Sequence, residues 1–88
     1  MAQQVLSVEY NGETILSKSF DYEAACLIDD YRQLGLLHRA EAAVSYLFEG
    51  TPVTDKVLKS LPKEKRMELA ITINKWFQDD MTVALKNV

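Results

Sequence analysis

Apolar and polar positions alternate at the start of the chain. Leu6, Val8 and Tyr10 fall on one side and Ser7 and Glu9 on the other, the period-two pattern of a half-buried strand. Asn11-Gly12 follows, the pair that most readily adopts positive φ at both centres of a type I′ turn. Glu13 to Lys18 then reads as the return strand, which predicts a β-hairpin over about residues 4–18. A two-stranded ribbon is barely stable alone, so one of its faces must pack on what comes next.

From Asp21 onward the period changes to three and four. Asp21 is placed to cap a helix, and Glu23 favours the positive end of its dipole. Ala24, Leu27, Ile28, Tyr31 and Leu34 form one stripe, and Gly35 closes the helix as a residue that tolerates left-handed backbone. A second helix is predicted over about 37–48, with Ala40, Ala43, Val44, Leu47 and Phe48 as its stripe and Gly50 as its stop. Thr51-Pro52-Val53 reads as a loop, because proline biases the residue before it away from helix. Thr54 caps a short helix over 54–60. Pro62 stands where proline is best tolerated, in the first turn of a helix that nothing interrupts until about Lys86.

That last helix carries Met67, Ala70, Ile71, Trp76, Phe77, Met81, Ala84 and Leu85, with Leu69, Ile73 and Val83 widening the stripe. So broad an apolar face belongs to a helix that crosses the core or offers a second side to a partner. Asn74 and Gln78 break it, against a simple coiled-coil seam. The expected fold is α+β: an N-terminal hairpin followed by three to four helices packed as a small bundle, the last one long. The 88 residues fit one domain, 1–88.

Composition narrows the function classes. Nearly half the residues are apolar, too many for a disordered tail. The formal charge of −3 gives no long-range attraction for a phosphate backbone. A nucleic-acid reading would need one basic face joining Lys56, Lys59, Lys63 and Arg66. Cys26 is the only cysteine, so no internal disulfide forms, as is usual in a reducing compartment. Met1-Ala2-Gln3-Gln4 has no secretory pattern, and no apolar run nears the roughly 20 residues that cross a bilayer. A cytoplasmic location is expected, without membrane or nucleic-acid partners.

Candidate chemistry is sparse. His38 and Cys26 are single copies, short of a zinc ligand set. A Cys26–His38 nucleophile pair would need the two to converge with a carboxylate, while a cysteine on an amphipathic helix more often packs as a small hydrophobe. Asp29-Asp30 and Asp79-Asp80 are neighbours on helices and point about 100° apart, so neither pair shares one proton or metal. Lys63-Glu64-Lys65-Arg66 is a mixed-charge helix start. The three glycines are isolated, so no phosphate-cradling loop exists. No catalytic residue, cofactor or metal site is expected, and the protein reads as non-enzymatic.

The order of motifs resembles a family. A strand–turn–strand with Asn11-Gly12, Phe20-Asp21-Tyr22 with Glu23-Ala24 opening a helix, Tyr46 to Thr51, and Leu61-Pro62 before the last helix are similar to tail assembly chaperones of long-tailed bacteriophages and prophages. The resemblance implies a protein that binds the tape-measure protein during tail morphogenesis in the bacterial host cell. It also implies self-association into a homo-oligomer, and a longer form made by translational frameshifting. On this reading the last helix supplies the partner-binding residues: Met67, Ile71, Trp76, Phe77 and Met81, with methionines as adaptable contacts. The alternative is a small cytoplasmic regulatory or adaptor module using the same helices for an unrelated partner.

Overall fold

The computed structural model describes residues 4–86, with side chains described through Asp80. Strands β1 (Ser7–Tyr10) and β2 (Glu13–Leu16) form an antiparallel hairpin, and four helices follow: α1 (Tyr22–Asp30), α2 (Leu36–Leu47), α3 (Asp55–Ser60) and α4 (Lys63–Lys86). The hairpin pairs Tyr10 with Glu13 and Val8 with Ile15. Asn11 and Gly12 take φ of 52° and 79°, as a type I′ turn requires.

The hairpin is tied to the helices at its open end. The Ser17 amide donates to the Leu6 carbonyl at 2.8 Å, and the Leu6 amide to Ser17 Oγ at 2.8 Å. One step on, the Lys18 amide donates to the Leu47 carbonyl at 2.8 Å, which satisfies an acceptor that the end of α2 would otherwise leave open. Leu6 and Val8 are buried, and Tyr10 packs beside them. The face predicted from alternation is the one that meets the helices.

Asp21 caps α1 as expected, with Oδ1 accepting the Ala24 amide at 3.0 Å. The helix ends at Asp30, four residues before the predicted end. Residues 31–34 form a tight turn with i→i−3 bonds from Tyr31, Arg32 and Leu34. Tyr31 and Leu34 share the stripe spacing but find no core to bury in, and both stay exposed. Gly35 is corrected too: its φ is −61°, in ordinary extended backbone, and it starts α2 instead of ending α1. Gly50, by contrast, is left-handed with a φ of 80°, in the turn that follows α2 and its C-cap Phe48.

α2 is the central helix, packed on α1 through one side and α4 through another. Ala40, Ala43, Val44, Leu47 and the following Phe48 are all buried. Thr54 caps α3 through its hydroxyl, which accepts the Val57 amide at 3.5 Å. α4 has 24 residues and spans about 36 Å at 1.5 Å per residue. It gives Leu69, Ala70 and Ile73 to the core. Asn74, which breaks the apolar stripe in sequence, is 5% exposed. Its amide donates to the Ala70 carbonyl at 2.8 Å and the Leu36 carbonyl at 3.4 Å, joining α4 to the start of α2. Among the described residues no helix is long and apolar enough to cross a membrane.

Candidate functional site

Phe20-Asp21-Tyr22 separates into three roles. The Phe20 ring tilts at 58° against Trp76, with centroids 5.9 Å apart. Asp21 caps α1, and its second oxygen accepts the Tyr46 hydroxyl at 2.7 Å. Tyr22 is 81% exposed. Lys18 Nζ sits 4.0 Å above the Tyr46 ring and 3.9 Å from Glu49. This cluster clasps the hairpin end, the α1 start and the α2 end. The Ala24 amide, then the Tyr46 hydroxyl, hold the Asp21 carboxyl below its ordinary value of 3.8. The same bond to Asp21 pushes the Tyr46 phenol up to about 12. Both are hydrogen bonds to groups already in their resting protonation state, a holding arrangement and not a proton-transfer one.

His38 lies in the first turn of α2 with Nδ1 3.7 Å from Glu41 Oε2, mostly exposed. Cys26 is half-buried on α1. Among the described residues no group of three or more His, Cys, Asp or Glu comes together as a metal ligand set.

The notable surface lies where α2, α3 and α4 meet. A cleft of about 270 Å³ opens there, floored by Leu37, Ala40, Val44, Leu58, Leu69 and Ala70. Its rim carries Glu41, Asp55, Lys59 and Arg66. Arg66 Nη2 is 2.9 Å from Glu41 Oε1, which pins α4 to α2 at one end, as the Asn74–Leu36 bond does at the other. The volume falls just under the roughly 300 Å³ at which small-molecule pockets begin, a size suited to one or two side chains of a partner. A second hollow of about 480 Å³ lies between the hairpin and the α3–α4 turn, lined by Val8, Leu61 and Pro62 together with Ser7, Glu9, Thr14 and Lys65.

The five residues assigned to partner binding separate. Met67 and Ile71, one turn apart, are 38% and 52% exposed. They lie on the stretch of α4 between the Arg66 and Asn74 ties to α2; Leu36 and Leu37 of α2 are exposed as well. Trp76 and Phe77 are partly buried and packed against the core, so they serve the fold first. Met81 lies outside the residues whose side chains are described. Sequence reasoning missed Leu36, Leu37 and Leu58. The adjacent Leu36-Leu37 pair was the available signal, since one stripe cannot bury two consecutive residues equally.

The described residues form a small α+β domain with an apolar cleft between α2, α3 and α4 and with Met67 and Ile71 exposed on α4. In comparisons with known proteins, the chain matches no family model, no curated protein and no solved structure.

Proposed function

We propose that this chain is a non-enzymatic assembly chaperone that holds a helical, apolar partner. The tape-measure protein of a bacteriophage or prophage tail is the partner that the resemblance in Phe20-Asp21-Tyr22, Tyr46–Thr51 and Leu61-Pro62 suggests. One observation carries the reading: α4 lines the 270 Å³ apolar cleft with Leu69 and Ala70 and also leaves Met67 and Ile71 exposed. A helix laid on such a surface inserts side chains at i, i+3 and i+4 into a groove, and buries them reversibly. An exposed methionine adapts to more than one shape of partner.

Coexpression with a bacteriophage tape-measure protein tests the reading. Wild type should keep that protein soluble and copurify with it. The double substitution Met67→Asp, Ile71→Asp should abolish copurification while leaving the circular-dichroism melt within a few degrees of wild type. A tape-measure protein that stays insoluble with wild type, or equal copurification by the double variant, would refute the assignment.

A further inference from the structure

The hairpin has no third strand, and its outer backbone groups lack partners among the described residues. The Ser17 amide donates to the Leu6 carbonyl, and bonded and non-bonded pairs alternate along an antiparallel ladder. In this register Leu6, Val8 and Tyr10 turn their amides and carbonyls towards β2, while Ser7 and Glu9 turn theirs outward. No bond reaches the outward groups of Ser7 and Glu9 from any described residue. Thr14 and Leu16 face outward in the same way on β2, but α2 closes one end of that edge, where the Lys18 amide is bonded to the Leu47 carbonyl. The edge of β1 instead opens on the hollow of about 480 Å³. Successive side chains of a strand point to opposite faces, so a hollow touched by Ser7, Val8 and Glu9 in turn meets β1 along its edge. Leu61, Pro62 and Lys65, from the turn into α4, form its other wall.

We infer that this slot takes an extended segment of another protein, which joins the hairpin as a third strand. Ser7 and Glu9 each offer an amide and a carbonyl at the two-residue spacing of a strand. An extended backbone matches that pattern, whereas a helix has already bonded its own amides and carbonyls internally. Leu61 and Pro62 give alternate side chains of the segment an apolar surface. A second copy of this chain is a worse occupant. Each strand of its hairpin has the other on one flank, about 4.8 Å away, so the flanking strand would run into the Leu61–Pro62 wall. The slot is separate from the cleft between α2, α3 and α4 and does not depend on the function proposed above.

The test follows backbone amide exchange by NMR on the full chain. The probe is a six-residue peptide of alternating valine and threonine, capped at both ends. Saturating peptide should slow exchange at Ser7 and Glu9 about tenfold or more and leave Thr14 and Leu16 as they were. The same peptide with every amide N-methylated keeps its side chains, loses its donors and should give no protection. Ser7→Pro removes one donor at an edge position where proline is tolerated, and should weaken binding about 2- to 10-fold. The variant Met67→Asp, Ile71→Asp should bind the peptide as wild type does, so the slot and the cleft are tested apart. No protection at millimolar peptide, protection at Thr14 and Leu16 instead, or equal binding of the methylated peptide would overturn the inference. So would protection of Ser7 and Glu9 that needs no peptide and grows with protein concentration, the mark of a second copy in the slot. The methylated peptide on wild type decides the matter should the proline variant not fold.

Discussion

Asp21 shows how much one side chain can join. Its carboxylate caps α1 and accepts the Tyr46 hydroxyl, so it links local helix initiation to tertiary packing. Its folded pKa lies below the ordinary 3.8, so its contribution is present above that value and is lost as pH falls through the folded pKa. Tyr46 is raised to about 12 from 10, so its share is present below pH 10 and is lost as pH climbs through the folded value. Thermal melts across pH should therefore show midpoints dropping at both extremes, and Asp21→Asn should flatten the acid limb. Asp21→Ala should cost about 1 kcal/mol through the cap alone. Gly35 offers the opposite opportunity. It starts α2 with φ −61° and ψ 166°, makes no side-chain cap, and has nothing within 4 Å of an added Cβ. Gly35→Asp should raise stability by roughly 0.5–1 kcal/mol, measured by urea denaturation, from a new cap and a less flexible unfolded chain.

At the level of elements, what could be read from sequence followed from period. The hairpin and the α2 stripe were legible because alternation and 3.6-residue spacing each assign one buried side without ambiguity. The end of α1 was not. Tyr31 and Leu34 continue the right spacing, and only the chain reversal into α2 leaves them outside. On α4 the stripe was too broad to say which edge α2 would cover. The fold decides it by burying Leu69, Ala70 and Ile73 and leaving Met67 and Ile71 in water. That division is testable: Ile73→Ala should cost about 2–5 kcal/mol, whereas Ile71→Ala should change the denaturation midpoint little. The cleft was least legible of all. Its floor draws on α2, α3 and α4, and no local pattern encodes a surface made by three helices meeting.

At the scale of the whole molecule, charge and apolar surface are not spread evenly. Acidic residues dominate the hairpin and α1, while Lys56, Lys59, Lys63, Lys65 and Arg66 fall in α3 and the first turns of α4. The overall charge of −3 therefore describes no single face, and the exclusion of charged partners drawn from it holds for long-range steering only. The cleft between α2, α3 and α4 has an apolar floor and carries the Arg66–Glu41 ion pair at its rim.

The contact between Phe20 and Trp76 has a practical meaning for anyone who studies this chain. Trp76 is its only tryptophan, and it rests on a ring from the segment that leaves the hairpin, far away along the sequence. Intrinsic fluorescence is therefore not a general gauge of helix content here. It is a built-in optical marker of one event, the docking of the first third of the chain onto the last helix, and its timing can be set against far-ultraviolet signals that follow the helices themselves.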